Sequence, residues 1–475
     1  MNWIQNRLNK TTKFAFIYKM LLIFSLAMIS SCAKDVLNMT PLDRLSDDAV
    51  WKDGNLMQTW INNTYRVMPQ GHTNGAQMIA NISDESYYRT GRPNYITAGN
   101  ITPTTLGVLD FWTQGGEART DFGYWQVITK CNIFLEKVGS SPIDLTLKDR
   151  MTGEMKFLRA YSYFRLVAFF GGVPLVIKPF NLNDNFDIPR NTYDECMNFV
   201  ISELDDAASL LPLDYNDAEK GKITKGAALS IKSRALLYMA SPLNNLTNDI
   251  TKWQKAADAA KAVIDLNIYS LFPSYKDQFL RVNSYNSESI WSRPFNYAVS
   301  PEYNHDWGGV EQSLYPNGYN GYGQCNPLHN LVKSYEMISG KLPADDPAYN
   351  PQNPYVNRDP RFYATILYDG ALFKDRPVET FLPGGKDSNE GAIEPNNATV
   401  TGYYLRKFID ESVTDPNLES QGNSPWIFIR YAEILLNYAE AEYFLGQQDV
   451  CRQYINMIRN RPGVNMPLVS ESGDS

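Results

Sequence analysis

The sequence predicts a mostly α-helical protein in which a loop-rich face with a few short strands lies on stacked helical hairpins. Apolar residues recur at three-to-four spacing in several segments, which is the period of an amphipathic helix. One of these segments, 225–240, is also rich in small residues, which let helices pack closely. Between residues 268 and 425 the pattern changes, because Gly, Pro, Asn and aromatic residues interrupt short apolar runs.

The composition is that of a globular protein and argues against a nucleic-acid partner. The 475 residues are 43% hydrophobic and 20% charged, which suits one large core or two moderate ones. A formal net charge of -8 disfavours binding to a polyanion. Aromatic residues make up 13% of the chain, including 30 Tyr and 9 Trp, which indicates that some rings are displayed at surfaces.

The N-terminal segment has the pattern of a lipoprotein signal peptide. Basic residues between positions 7 and 19 precede the apolar run 20–29, which is too short to cross a bilayer. Ile29-Ser30-Ser31-Cys32 then resembles a bacterial lipobox, in which small residues permit cleavage and the thiol carries the lipid. We predict a signal peptide over residues 1–31 and a lipid anchor on Cys32, with an ordinary secretory signal as the alternative. No long apolar run follows, so the mature chain is predicted to be anchored to the membrane without crossing it.

Helical segments follow one another along the chain. The first is predicted to begin near Asp47-Asp48 and to continue through Trp51 and Trp60, and the next covers residues 121–138. A helix over 154–170 has a broad apolar stripe and is predicted to be central. Five more helices are predicted at 192–211, 225–240, 252–266, 430–445 and 449–461. Four tryptophans on these stripes are predicted to be core residues: Trp51, Trp60, Trp125 and Trp253.

Four further cysteines follow Cys32: Cys131, Cys196, Cys325 and Cys451. An exported protein permits disulfides, but no CxxC spacing occurs and the sequence leaves the pairing open. Buried free thiols are the favoured interpretation for the three cysteines in helical segments. A zinc site is disfavoured by the spacing.

Catalytic signatures are missing from the sequence. There is no GxSxG elbow, no phosphate-binding loop, no HExxH motif and no EF-hand loop. Asp205-Asp206 and Asp345-Asp346 are carboxylate pairs, but adjacent residues on a helix point in different directions, so we predict solvated surfaces there. We predict a protein that is not an enzyme and for which the sequence indicates no cofactor, while a structural metal ion is left open.

A series of motifs stands in a fixed order behind Cys32. Two of them are Glu154-Met155-Lys156-Phe157-Leu158-Arg159-Ala160-Tyr161-Ser162-Tyr163-Phe164 and Arg358-Asp359-Pro360-Arg361-Phe362. Others occupy residues 171–175, 188–190, 204–207, 221–228 and 430–436. In this order they resemble the SusD/RagB family of outer-membrane nutrient-binding lipoproteins.

The resemblance implies a SusD-like fold with four tetratricopeptide-like helix pairs and a loop-rich ligand face. It implies one SusD-like unit over residues 32–475, with an N-terminal part at 32–220 and a RagB/SusD part at 221–475. Family members sit on a SusC-like TonB-dependent transporter, and many bind glycans. Most also continue past the helix that corresponds to 449–461. This shorter end is expected to leave apolar flanks of the 430–461 helix pair exposed.

Two loops contain the residue types that sugars require, which are flat aromatic faces, amides and guanidinium groups. The loop 84–112 contains Tyr88, Arg89 and Trp112, and the loop 303–322 contains Tyr303, Trp307, Tyr319 and Tyr322. Loops lie mostly at the surface, so some of these rings are predicted to be exposed to ligand. Trp307 is predicted to be the main anchor, because its neighbours are polar residues and glycines.

These observations predict a lipid-anchored protein of the cell outer membrane that faces the exterior. It is expected to bind glycans and to deliver them to a SusC-like TonB-dependent transporter. A peptide or other non-carbohydrate nutrient is the alternative ligand, because a fold does not fix its ligand. An anchored glycoside hydrolase is disfavoured, since no acid/base pair is evident.

Overall fold

A computed structural model describes residues 47–69, 78–89, 94–102, 104–105, 109, 123–295, 310–381, 383–416 and 424–470. Cys32, Trp112, Tyr303 and Trp307 lie outside the described residues. The chain divides into a small unit that ends at Met57 and a large unit that begins at Gln58.

Helices dominate the chain, and short strands are interspersed among them. In chain order, the helices are α1 (Asp47–Val50), α2 (Gly54–Arg66), α3 (Asn94–Thr97), α4 (Tyr124–Val138), α5 (Leu145–Phe170), α6 (Tyr193–Leu210), α7 (Lys225–Ala240), α8 (Ile250–Ile264), α9 (Val310–Leu314), α10 (His329–Ser334), α11 (Pro360–Thr365), α12 (Tyr431–Phe444) and α13 (Gln448–Arg459). The strands are β1 (Ser86–Tyr88), β2 (Ser289–Arg293), β3 (Cys325–Pro327), β4 (Ile366–Leu367), β5 (Leu372–Phe373), β6 (Arg376–Pro377), β7 (Tyr404–Leu405) and β8 (Trp426–Arg430).

The first predicted helix is interrupted, which corrects the expectation of one continuous helix. It is divided into α1 and α2, and the carboxylate of Asp53 lies at the start of the second. That carboxylate accepts hydrogen bonds from the backbone amides of Asn55 (2.7 Å) and Leu56 (3.2 Å). An aspartate before a helix satisfies amides that would otherwise have no partner, so a new helix begins there.

Helices α4 to α8, α12 and α13 form the helical stack, in which each helix packs on the next. The predicted central helix is confirmed as α5, whose buried residues surround its axis. It begins at Leu145 rather than at Glu154. The side chain of Asp144 caps it by accepting from the backbone amide of Leu147 (3.0 Å). A Cβ at Gly153 would lie 2.9 Å from the Leu211 side chain, so glycine permits close packing there instead of ending the helix.

The tryptophan predictions are only partly correct. Trp51 and Trp253 are buried, as predicted. Trp60 and Trp125 are half-buried. The indole N–H of Trp60 donates to the Lys130 carbonyl (3.1 Å), which holds this ring at the edge of the core.

Buried charges join the helices of the stack. The guanidinium of Arg159 on α5 donates to Glu203 on α6 (2.8 and 2.6 Å) and to Asn132 on α4 (2.8 Å). Glu154 is fully buried and accepts from Arg150 (2.5 Å) and from the Tyr65 hydroxyl (2.8 Å). Burial raises the pKa of Glu154, and the Arg150 charge opposes this shift.

An antiparallel strand pair, β2 with β8, lies against α5. The rings of Trp291 and Phe428 stack at 4.0 Å, and Trp291 makes edge contacts at 4.8 Å with Phe157 and Tyr161. Beside this pair, the buried Glu288 accepts from Arg430 (2.5 Å) and pairs with the buried Arg461. These ion pairs connect the C-terminal helix pair to the strands.

The loop-rich part, residues 310–416, contains the short antiparallel pairs β4–β7 and β5–β6. Its core includes the fully buried rings of Tyr315, Phe373 and Tyr404. The predicted mostly helical class with a few short strands is therefore confirmed. On the last helix pair, four apolar residues are at least 41% exposed: Leu436, Tyr443, Phe444 and Met457. Within the described ranges, no helix has both the length and the apolar character needed to span a bilayer.

Candidate ligand-binding site

The two predicted sugar-binding loops meet at a short strand pair. Strands β1 and β3 are antiparallel, and their register places Tyr87 opposite Asn326 and Tyr88 opposite Cys325. The pairing continues past β1, because the backbone amide of Arg89 donates to the carbonyl of Gln324 (3.3 Å). Segments far apart in sequence thus form one edge, at which the loop 84–112 adjoins the loop 303–322.

Arg89 is the polar centre of this edge. Its guanidinium Nη2 donates to Asn397 Oδ1 at 2.8 Å. Burial lowers the pKa of the Arg89 guanidinium, and the nearby Tyr404 and Tyr88 oppose this shift. Its Nε is buried and has no hydrogen-bond partner among the described residues. Arg89 therefore has donor capacity that the described part of the protein does not use.

Gln324 supplies matching acceptor capacity. Its Oε1 is buried and likewise has no hydrogen-bond partner within the described segments. The neighbouring Gly323 has φ +52°, and a Cβ there would lie 2.6 Å from the Asn397 carbonyl oxygen. Glycine therefore lets the 323–324 backbone approach Asn397 closely. Buried polar atoms are nearly always hydrogen-bonded in proteins, so an unused donor and an unused acceptor at adjoining positions mark a place for a polar ligand or water.

Tyr322 adds an aromatic ring to this edge. It is half-buried, as is Gln324, and the two residues alternate with the buried Gly321 and Gly323. The Tyr322 hydroxyl accepts from Gln312 Nε2 (3.1 Å), which fixes the end of the ring. We call the set of four residues at this edge the Arg89 site: Arg89, Tyr322, Gln324 and Asn397.

Two residues that were predicted to contact ligand, Tyr88 and Tyr319, make contacts inside the protein instead. Tyr88 is only 6% exposed and belongs to the core. Tyr319 is half-buried, and its hydroxyl donates to the Phe373 carbonyl (2.6 Å). The Arg376 guanidinium lies 4.2 Å from the centre of the Tyr319 ring and covers it. These two tyrosines support the loops from inside, so they are not included in the Arg89 site.

Sequence reasoning did not identify Gln324 or Asn397. Gln324 lies two positions past the predicted loop 303–322, and its place beside this aromatic-rich stretch was the available signal. Asn397 stands 308 positions from Arg89, and nothing in its own segment marks it.

The Asp205-Asp206 pair and the four cysteines have structural roles. Asp205 and Asp206 form ion pairs with Lys232 and Lys156, both at 2.5 Å. Cys131, Cys196, Cys325 and Cys451 are buried free thiols. Burial raises the pKa of Cys325 to about 12, with a hydrogen bond from Asn81 opposing the shift. Among the described residues, no group of His, Cys, Asp and Glu side chains is arranged to hold a metal ion.

Comparisons with known proteins agree with one another. Residues 40–237 match the family model described as "Starch-binding associating with outer membrane", and residues 279–474 match that of the SusD family. SusD-like protein P38 of Formosa agariphila is 23% identical, over 95% of this chain and 82% of its own length.

Solved structures from Bacteroides fragilis are also similar. A SusD-like protein superposes with a TM-score of 0.69 at 28% identity, covering 92% of this chain and 83% of that one. A SusD-like carbohydrate binding protein superposes with a TM-score of 0.73 at 25% identity, covering 90% of this chain and 81% of that one.

Proposed function

The chain belongs to the SusD/RagB family, and from that premise we propose that it is a carbohydrate-binding protein of the outer membrane that captures glycan at the Arg89 site. The observation that carries the proposal is the unused donor on Arg89 beside the unused acceptor on Gln324. A sugar hydroxyl both donates and accepts, so sugar hydroxyls suit an unused donor and an unused acceptor at adjoining positions. The half-buried ring of Tyr322 offers an apolar surface to the C–H groups of the same sugar.

We further propose that the protein acts without catalysis and passes its glycan to a SusC-like TonB-dependent transporter. Cys32 carries the lipid anchor in this proposal, and the binding face is turned to the cell exterior. Trp307, Tyr303 and Trp112, which lie outside the described residues, stay predicted ligand contacts.

The binding test starts with a glycan array and a peptide panel, followed by calorimetry with the strongest ligand. Arg89→Ala and Asn397→Ala should each weaken glycan binding by ~1–3 kcal/mol, the range for losing an anchoring contact. Arg452→Ala, on the surface of α13, is the matched control and should bind normally. Full affinity in both site variants would contradict the site. Binding to peptides and to no glycan would favour the alternative ligand.

The same preparation tests the remaining parts of the proposal. Incubation with the bound glycan should release no new reducing ends, whereas a hydrolase must release them. Cys32→Ala should lose a labelled acyl chain and leave the outer-membrane fraction. The wild type should co-purify with a β-barrel transporter in mild detergent, and recovery of the protein alone would count against delivery.

A further inference from the structure

A cavity of about 290 Å³ opens beside Tyr285, where the loop 213–224, residues 268–269 and the start of β2 meet. None of its lining residues belongs to the Arg89 site. We propose that this cavity, the Tyr285 pocket, is a second binding site that takes a neutral sugar unit of a glycan chain. The inference rests on the proposed function for its class of ligand and goes beyond it by assigning a separate site.

The Tyr285 side chain is exposed and is held in place by hydrogen bonds, which suits a ring on which a sugar stacks. It is 47% exposed. The next residue, Asn286, fixes the turn by donating from its side-chain amide to the carbonyls of Gln278 (3.0 Å) and Asn283 (2.8 Å). The Tyr285 hydroxyl donates to the Lys220 carbonyl (3.4 Å), which holds the far end of the ring. An aromatic ring that is already fixed loses little conformational freedom when a sugar stacks on it.

The same residue borders a second cavity of about 600 Å³, which Arg281 and Asn283 also line. Tyr285 and Asn286 are shared by the two cavities, so a chain of several sugar units has room to pass along the ring. The Arg281 guanidinium makes no hydrogen bond or ion pair with any residue that the structure describes. It is therefore available to donate to sugar hydroxyls.

The charges around the ring favour a neutral ligand. Asp214 and Ser289 line the Tyr285 pocket and offer a carboxylate and a hydroxyl. The negative charge of Asp214 in one cavity balances the positive charge of Arg281 in the other. Two lysines of the pocket are already paired with neighbouring carboxylates: Lys220 with Asp217 (2.6 Å) and Lys222 with Glu219 (2.5 Å). Sugar hydroxyls suit such a mixture of donors and acceptors better than an anion does.

The test uses the full chain with soluble starch, laminarin, xylan and mannan in affinity gels. Tyr285→Ala removes the platform, Arg281→Ala removes the available donor, and Tyr285→Phe keeps the ring. Tyr443→Ala is the matched control, because Tyr443 is also strongly exposed (56%) but lies on α12. Melting curves of every variant verify that the protein is folded.

We expect Tyr285→Ala and Arg281→Ala to weaken binding of the retained polysaccharide about tenfold, because a second site on one long chain raises the apparent affinity. Tyr443→Ala should bind as the wild type does, and Tyr285→Phe, which keeps the ring but loses its bond to Lys220, should weaken binding less than Tyr285→Ala. In an Arg89→Ala background, adding Tyr285→Ala should abolish the residual binding. Unchanged retention of both Tyr285→Ala and Arg281→Ala overturns the second site alone. A wild type that none of the four polysaccharides retains overturns this inference together with the proposed function.

Discussion

Two buried glutamates of the helical stack and one buried glutamate of the loop-rich part differ in their partners. In the stack, Glu203 and Glu154 each meet an arginine at 2.6 Å or less. In the loop-rich part, Glu311 is only 2% exposed, and its Oε2 has no hydrogen-bond partner among the described residues. Arg89 and Gln324 also hold unused capacity at the edge of that part. Paired charges fix the position of helices, whereas unpaired polar atoms lower stability but are free to meet a ligand.

The largest expected effect comes from breaking a buried pair in the stack. Arg159→Ala leaves Glu203 buried without its guanidinium, and the free energy of unfolding should fall by ~3–5 kcal/mol. Lys156 lies 3.3 Å from Glu203 and compensates in part, which favours the lower end of that range. Urea denaturation measures the loss. Arg159→Lys keeps the charge and should show an intermediate loss, and equal stability in all three proteins would refute the role of this pair.

In the loop-rich part, removing a buried charge should stabilise the protein at high pH. Burial raises the pKa of Glu311 from 4.5 to about 7, so the folded state keeps a proton that the unfolded chain releases. The stability that the protonated Glu311 contributes is complete below pH ~4.5 and is lost as pH rises to ~7. Glu311→Gln should therefore match the wild type in acid and exceed it by about 3 kcal/mol at pH ~8, at 1.36 kcal/mol per pKa unit.

Urea denaturation at pH ~5 and pH ~8 decides this point. Glu85→Gln, at an exposed position, is the control and should show no such difference between the two pH values. A Glu311→Gln variant whose advantage is the same at both pH values would contradict the assignment.

A smaller effect is expected from one buried hydroxyl in the loop-rich core. The Tyr404 hydroxyl oxygen lies 2.6 Å from both Asn317 Oδ1 and the Asp387 carbonyl oxygen, between which it shares its single proton, and it accepts from the Thr399 amide (3.0 Å). Tyr404→Phe leaves these partners unsatisfied and should lower the free energy of unfolding by ~1–3 kcal/mol. Hydrogen exchange should accelerate around residues 310–405 and not in α5. Uniform acceleration would indicate that the two regions open together.

The smallest effect should come from an exposed pair on the stack. Lys232 and Asp205 are 2.5 Å apart, but their side chains are 24% and 50% exposed. Lys232→Ala should change the free energy of unfolding by less than ~1 kcal/mol, because water screens such pairs. The change should shrink further in high salt. A loss as large as that of Arg159→Ala would mean that the contribution of an ion pair to the free energy of unfolding depends on pairing itself rather than on burial.

The helices were predictable because their signals are local. Apolar spacing identified α4 to α8, α12 and α13 to within a few residues, except that α5 begins at Leu145 and not at residue 154. The site was less predictable, because it depends on contacts between distant segments. Whether Tyr87 or Tyr88 turns inward is decided by the register of β1 against β3, which the sequence of β1 alone does not specify. The approach of Asn397 to Arg89 has no local signal at all.

The pairing of β1 with β3 also has a consequence for the order of folding. Ser86 and Asn326, which meet in this pair, are 240 positions apart in the chain. During synthesis β1 must wait until β3 has been made, and closing so long a loop is slow compared with forming neighbouring helices. Helices α4 to α8, which precede β3 in the chain, can therefore assemble while the Arg89 site is still incomplete. We accordingly expect the capacity to bind ligand to appear after these five helices have formed.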